Sequence, residues 1–205
     1  MALSQPPGNP PPRPSAAAVA KVALRDQLST GRNRLPVAQI GLFSRAIAGH
    51  LMDTPEVQLA ATVAAYVSIG TEPGTSWLLD GLRAAGQRVI LPVLLVDGDL
   101  DWAVYTGDSG LAAARYGLLE PTSPPLGVDA VATADAVVVP GLAVSVTGLR
   151  LGRGGGSYDR ALARVPAGTF TCCALYDSEV GVQVPGEPHD RPVTAAVSPS
   201  GVHRF

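Results

Sequence analysis

The chain has 205 residues, 46% of them hydrophobic and 16% charged, which is enough apolar material for a buried core and rules out disorder throughout. With 15 basic against 17 acidic residues the formal net charge is −2, so there is no basic footprint for nucleic acid or an anionic membrane, and anionic ligands must be held by a local cluster of cations. Charged and proline residues interrupt every apolar stretch before it reaches membrane-spanning length, and the first residues lack a basic segment followed by an apolar one, so the expected location is the cytoplasm.

Residues 1–14 hold a dense cluster of prolines with Gln, Asn and Gly and read as a solvated tail, leaving 15–205 as one domain. From Ala16 to Leu28 the residues favour helix, and Lys21 and Arg25, four apart, share one face. A second helix follows Pro36, with Ile40, Phe43, Ile47 and Leu51 at spacings of three and four. Thr62 to Ser68 reads as a short strand ending in the polar segment Ser68-Ile69-Gly70-Thr71-Glu72-Pro73-Gly74. A helix from Thr75 to Ala85 follows, capped by Thr75 or Ser76 and stopped by Gly86. Arg88 to Leu91 is the next strand. Ala136 to Val139, closed by Pro140-Gly141, has the β-branched continuity of a strand buried on both faces. Tyr158 to Val165 reads as helix, and Thr169 to Leu175 and Val193 to Val197 as the last strands.

The only cysteines, Cys172 and Cys173, are neighbours in a strand. They point to opposite faces and read as two small buried hydrophobes rather than a disulfide. Strands alternating with helices imply an α/β fold, a three-layer sandwich in which helices flank a largely parallel central sheet, Rossmann-like, with ligands beyond the carboxyl ends of the strands.

The strongest local signal is Arg150-Leu151-Gly152-Arg153-Gly154-Gly155-Gly156-Ser157-Tyr158-Asp159-Arg160. Its glycines let backbone approach a ligand closely, the following helix start offers unpaired N–H groups, and the arginines supply positive charge for phosphates. It is not a Walker A loop, because no Gly-Lys-Ser/Thr follows, and it does not sit after a buried strand as a dinucleotide fingerprint does. On its own the run is also compatible with a flexible surface turn.

Together with Val139-Pro140-Gly141-Leu142-Ala143 and Gly148, this run resembles the signature block of the 5-formyltetrahydrofolate cyclo-ligase family, also called methenyltetrahydrofolate synthetases. That block reads roughly Val-Pro-Gly-Leu-Ala-Phe-Asp, a spacer, then Arg-Leu-Gly-Arg-Gly-Gly-Gly-Tyr-Tyr-Asp. Further elements are similar to the family's in the same order: Lys21-Val22-Ala23-Leu24-Arg25, the Ser68–Thr75 segment with Glu72, Leu91-Pro92-Val93, Glu120-Pro121, Gln183-Val184-Pro185, and His189-Asp190. Two positions depart: Val144-Ser145 stands for Phe-Asp, and Ser157 for the first of the paired tyrosines.

The resemblance implies an enzyme that uses ATP and Mg²⁺ to close 5-formyltetrahydrofolate into 5,10-methenyltetrahydrofolate, releasing ADP and phosphate. Phosphoryl transfer to the formyl oxygen makes a poor leaving group a good one, N10 attacks, and phosphate departs, so the protein mainly positions groups and stabilises charge. By resemblance, ATP would meet Lys21, Arg25 and the loop Arg150, Leu151, Gly152, Arg153, Gly154, Gly155, Gly156, Ser157 and Tyr158, with Arg153 and Tyr158 at the chemistry. Asp159 and Asp190 would hold Mg²⁺, and Val67, Glu72 and Tyr116 would meet the folate, with Trp102 a further ring for stacking. The expected partner is this small molecule alone, with no nucleic acid or membrane, bound by a monomer. Each residue taken singly also has a plain structural reading: Lys21 and Arg25 as a solvated helix face, Glu72 and Asp190 as loop acids, Asp159 as a helix-start carboxylate, Val67 and the rings as packing. Ser145 and Ser157 leave open a non-catalytic nucleotide- or folate-binding relative, and the Gly loop taken alone also suits a phosphosugar-binding α/β protein.

Overall fold

The computed structural model describes residues 15–205, so the Pro-rich segment 1–14 lies outside the described residues. Ser15 opens helix α1, Ala16–Arg32, by accepting the Ala18 N–H at 3.0 Å. The helix runs one turn past the expected Leu28. Ser29, Thr30 and Gly31 do not end it, because Arg32 anchors the last turn in a buried ion pair with Glu179. Helices α2, Val37–Met52, and α3, Pro55–Gln58, lead to strand β1, Thr62–Ala64. β1 is shorter than the expected Thr62 to Ser68. Ala65 still pairs with Ile90, and the chain then leaves the sheet to line a cavity at Tyr66 and Val67.

Helix α4, Ser76–Ala84, takes Thr75 at its N-cap and precedes β2, Arg88–Leu94. The segment that was not readable from sequence holds β3, Leu100–Val104, and a hairpin of β4, Leu111–Ala113, with β5, Leu119–Pro121. Strand β6, Ala136–Pro140, is followed by a second hairpin, β7, Ala143–Val144, with β8, Arg150–Leu151. Helix α5, Ser157–Arg164, and strands β9, Phe170–Ala174, β10, Ala195–Ser198, and β11, Gly201–Arg204, complete the chain.

The main sheet has seven strands in the order β11-β10-β9-β6-β1-β2-β3. The five inner strands are parallel, and the edge strands β3 and β11 run antiparallel to their neighbours. The sandwich with a largely parallel sheet is therefore the observed architecture. Alternation within the strands decides the two faces. Val63, Ala136, Val138 and Cys172 pack against Ile47, Leu51, Leu78 and Leu82 of α2 and α4, while Ala64, Val137, Val139 and Cys173 pack against Ala161 and Leu162 of α5. The two cysteines are free and buried on opposite faces, as their adjacency required. Truncating Leu51 or Leu82, both 0% exposed, to Ala should cost about 2–5 kcal/mol.

Trp102 corrects an expectation. It lies on β3 at 1% exposure, in the core with Ile90, Val131 and Leu162, and it does not line the cavity where a folate ring would stack.

The strand order positions the site. From β1 the chain proceeds outward to β2 and β3, then returns to β6 on the other side of β1. The loops leaving the carboxyl ends of β1 and β6 therefore diverge, and the crevice between them is the topological switch point where open α/β sheets take ligands.

Candidate functional site

Beyond that switch point lies a cavity of about 810 Å³. Its walls come from α1, the segment after β1, the ends of β2 and β6, the β4–β5 hairpin, the Gly loop with the start of α5, and the loop before β10.

The Gly loop leaves β8 and enters α5 with Gly154 at φ +103° and Gly156, the N-cap, at φ +70°, conformations that favour glycine. A Cβ at Gly154 would stand 3.3 Å from the Arg25 guanidinium carbon, and Arg25 Nε donates to the Gly152 carbonyl at 2.8 Å. The loop does follow a strand, β8, but a two-residue one outside the main sheet. Ser157 donates from its hydroxyl to the Gly98 carbonyl at 2.6 Å, which ties the helix start to the β2–β3 turn.

Arg150 is buried at 3%. It donates to the Pro140 carbonyl at 3.1 Å and to Asp159 at 3.2 Å, lies 5.8 Å from the centre of the Tyr158 ring, and keeps a buried Nε with no partner among the described residues. Arg153, by contrast, is half exposed and pairs with Glu72 across the cavity at 3.0 Å.

The segment after β1 is a closed loop. Ser68 and Thr75 exchange two hydrogen bonds of 3.0 and 3.1 Å, each backbone N–H to the other's hydroxyl, and Gly74 N–H donates to Ser44 at 2.7 Å. Inside it Glu72, 6% exposed, accepts the Ile69 N–H at 3.0 Å. Val67 lines the cavity and packs on the core, while Tyr116 stands at the tip of the β4–β5 hairpin, 81% exposed and at φ 59°, on the cavity rim.

Lys21 is not a solvated face residue. At 4% exposure it donates at 2.7 Å to both oxygens of Asp190 and at 2.9 Å to Glu187. Burial alone would lower its pKa, but the Asp190 and Glu187 carboxylates outweigh that and hold the ammonium above the usual lysine value. Glu187, His189 and Asp190 bring one potential ligand atom each within 4.8 Å of one another. Asp159 is not part of that group. It is held by Arg150 and by the backbone N–H of Arg191, at 3.3 Å, so the two aspartates flank a single peptide link.

The structure thus brings every proposed site residue except Trp102 into one cavity. It also adds residues that sequence reasoning missed. Tyr66, 3% exposed, lines the cavity with a hydroxyl that has no partner among the described residues. Burial first, and then the Glu72 charge, push the phenol pKa values of Tyr66 and Tyr158 well above the usual range, so both hydroxyls stay protonated. A lone polar aromatic in an apolar strand was the only available signal for Tyr66. Arg32, about three turns beyond Lys21 on α1, lies behind the cavity wall and outside its lining.

Ser145 explains itself locally. Its hydroxyl accepts the N–H groups of Thr147 and Leu149 at 3.2 and 3.1 Å and closes the β7–β8 turn, away from the cavity lining.

A profile of the 5-formyltetrahydrofolate cyclo-ligase family matches residues 17–199. The chain belongs to that family. It is 38% identical over 185 residues to a 5-formyltetrahydrofolate cyclo-ligase of Mycolicibacterium smegmatis, covering 87% of this chain and 93% of the relative. It is 35% identical over 179 residues to the enzyme of that name in Escherichia coli K12, covering 83% and 96%. Among solved structures it resembles Aquifex aeolicus 5,10-methenyltetrahydrofolate synthetase with a TM-score of 0.77 at 26% identity, covering 90% of this chain and 92% of the other. A Mycoplasma pneumoniae synthetase, at 19% identity and a TM-score of 0.70, shares the fold. Membership makes the chain a ligase of folate metabolism, as the Gly-loop resemblance implied. No helix among the described residues is long and apolar enough to cross a membrane.

Proposed function

We propose that this cyclo-ligase family member converts 5-formyltetrahydrofolate to 5,10-methenyltetrahydrofolate at the cavity above β1 and β6, with ATP as phosphoryl donor and Mg²⁺ as its metal. The observation that carries this reading is the composition of one cavity. A cationic Gly loop suited to phosphates and a closed acidic loop suited to an aminopyrimidinone ring face each other across it, joined by the Arg153–Glu72 pair.

The charge of the lining fits a metal-bound nucleotide. Lys21, Arg25, Arg150 and Arg153 are set against Glu72, Glu120, Asp159, Glu187 and Asp190, so four cations face five carboxylates. A bare polyphosphate would enter a net negative cavity, whereas carboxylates and phosphate oxygens are the hard ligands Mg²⁺ prefers. Asp159, Asp190 and Glu187 are the residues that would hold the metal, which would neutralise charge between phosphates.

ATP, when bound, supplies the phosphoryl group that activates the formyl oxygen. The residues do the rest. Amides of Gly152–Gly156 and the guanidinium of Arg150 bind phosphate oxygens, and half-exposed Arg153 is free to turn from Glu72 toward transferring charge. Glu72 accepts the paired N–H donors of the pterin ring, with Val67 and the rim residue Tyr116 against its faces. The protonated hydroxyls of Tyr66 and Tyr158 donate hydrogen bonds into the cavity, and the low-dielectric wall strengthens them. Ser145 replaces the family's Asp at a position outside the cavity lining, and Ser157 replaces an uncharged tyrosine. The reading keeps the expected single domain over 15–205, acting as a cytoplasmic monomer.

The test follows the rise in near-ultraviolet absorbance as methenyltetrahydrofolate forms. Product should require 5-formyltetrahydrofolate, ATP and Mg²⁺ together. Undiminished turnover after chelating the metal, or none with any nucleotide, would refute the reading.

A further inference from the structure

Behind the cavity wall lies a buried polar cluster that touches no lining position assigned to a ligand. Arg32, 2% exposed at the end of α1, forms a fork with Glu179, 3% exposed, through Nε and Nη2 at 2.7 Å each. The same Nη2 donates to the Gly141 carbonyl at 2.7 Å, in the turn after β6. Glu179 also accepts the Tyr176 N–H at 2.9 Å. The Tyr176 ring, 4% exposed, lies 5.4 Å from the Arg32 guanidinium and 5.8 Å from the Phe43 ring, and its hydroxyl donates to the Thr71 carbonyl at 3.0 Å. Thr71 immediately precedes Glu72. Arg32, Glu179 and Tyr176 are all absent from the lining of the cavity.

A buried ion pair is a weak source of stability, since well-packed apolar residues of similar volume often do as well, but its fixed geometry can specify an arrangement. Here the arrangement joins four segments: the end of α1, the β6–β7 turn, the turn after β9, and the loop that carries Glu72. Fixing the Thr71 carbonyl sets the peptide plane from which Glu72 departs, and the Ile69 N–H then holds its carboxylate. We infer that the Arg32–Glu179 pair, acting through the Tyr176 hydroxyl, is the positioning device that holds Glu72 in register for the folate ring. Tyr176 is a positioning residue and not a catalytic one. The inference rests on the assignment of Glu72 to the folate.

The phenol of Tyr176 is available as a donor throughout the neutral range. Burial first, and the Glu179 and Glu72 charges after it, push its pKa up to about 12 against the opposing Arg32 charge. Tyr176→Phe removes the one bond to Thr71 and keeps the ring between Phe43 and Arg32. It should raise the KM for 5-formyltetrahydrofolate about five-fold, the value of one hydrogen bond, with the KM for ATP, kcat and melting temperature close to wild type.

Arg32→Ala alone would strand a buried carboxylate and is prone to misfold, so the second variant is the double change Arg32→Met with Glu179→Leu. It removes both charges, should melt near wild type, and should still show the raised folate KM because Tyr176 loses its anchor. A purely structural pair predicts wild-type KM values in both variants, whatever the melting temperature. If Glu72→Gln weakens folate binding while Tyr176→Phe and the double variant both bind folate as wild type does, the positioning role is overturned and the Glu72 assignment stands. If Glu72→Gln leaves folate affinity unchanged, the Glu72 assignment fails and the positioning role falls with it.

Discussion

Glu72→Gln tests the proposed folate contact, and its magnitude can be worked from the geometry. Glu72 accepts the Ile69 N–H and the Arg153 Nε–H at 3.0 Å each. Glutamine keeps one acceptor for Ile69 but turns an amide donor toward either Arg153 or the ligand. In the free enzyme the loss is small, because Arg153 is half exposed and such screened pairs contribute about 0–1 kcal/mol, a melting shift of at most about 2–4 °C for a chain of this length. In the complex, two charge-assisted bonds to the ring, roughly 1.5–3 kcal/mol each, are replaced by one neutral bond and a misplaced donor. Wild type must also break the Arg153 pair to bind, which offsets up to about 1 kcal/mol of the difference. The net is about 2 kcal/mol, roughly a 30-fold weaker Kd for 5-formyltetrahydrofolate. ATP affinity should stay level or rise slightly, because Arg153 is released. Calorimetric titration of each ligand separately, with circular dichroism as a check on fold, decides the matter. Equal loss for both ligands would refute the reasoning and assign Glu72 to the integrity of its loop.

Arg153→Ala should lower kcat roughly 10²-fold or more with an unchanged melting temperature if its guanidinium meets transferring charge, and near wild-type turnover in a steady-state assay would remove that role. Asp159→Asn should raise the Mg²⁺ concentration for half-maximal rate while leaving folate affinity without nucleotide untouched, and a silent variant at limiting Mg²⁺ would remove Asp159 from the metal. Asp190→Asn is the harsher change, because it strips a buried lysine of its main partner at a cost of about 3–5 kcal/mol, so its melting curve must be read beside its kinetics. Lys21→Met should lower the melting temperature by an amount that depends on pH. The Lys21 pKa is raised above 10.5, so its contribution is present below that value and lost as pH climbs past it, and the Glu187 carboxyl, held below 4.5 by its hydrogen bond from Lys21, loses its share as pH falls through the acid range. Thermal scans should therefore show a constant wild-type-to-variant gap from about pH 6 to 9 that closes in acid, and a gap that widens in acid would contradict the linkage.

What could be read from the sequence follows the range of the forces involved. The inner parallel strands announce themselves because both faces are buried, so Ala136–Val139 needs no partner to be recognised. The Gly loop and the Glu72 loop are local too, since positive-φ glycines and a Thr at the N-cap position are written within a few residues. The edge strands β3 and β11 and the two hairpins were not legible. Their strands run two to five residues, and what stabilises them is docking, such as Glu120 accepting the Leu94 N–H at 3.0 Å. Of the two readings open for Trp102, stacking on the folate or simple packing, the structure shows packing, and no local signal chose between them. Arg32 and Glu179 lie 147 positions apart, and only the fold brings them together. The departures Ser145 and Ser157 looked like losses in sequence, yet one hydroxyl closes a turn and the other bonds to a carbonyl of the β2–β3 turn.

The charged groups of the site share one arrangement. Without ligands, Lys21 is paired with Asp190 and Glu187, Arg150 with Asp159, and Arg153 with Glu72. Three of the four cations proposed for phosphate therefore hold a carboxylate proposed for metal or folate, while Arg25 donates to the Gly152 carbonyl. Binding is an exchange of partners rather than the filling of an open charge, which moderates affinity while keeping a mixed cavity from carrying unpaired ions. The exchange also couples the two ligands. Folate that takes Glu72 releases Arg153 toward the phosphates, and a metal that takes Asp190 or Asp159 releases Lys21 or Arg150. By linkage, each ligand should then bind more tightly in the presence of the other. The coupling through Arg153 is bounded by the strength of a half-exposed pair, at most about 1 kcal/mol or five-fold, whereas the buried Lys21–Asp190 contact can carry more. On the proposed assignments the metal, not the folate, would therefore be the ligand whose arrival most changes how the nucleotide is held.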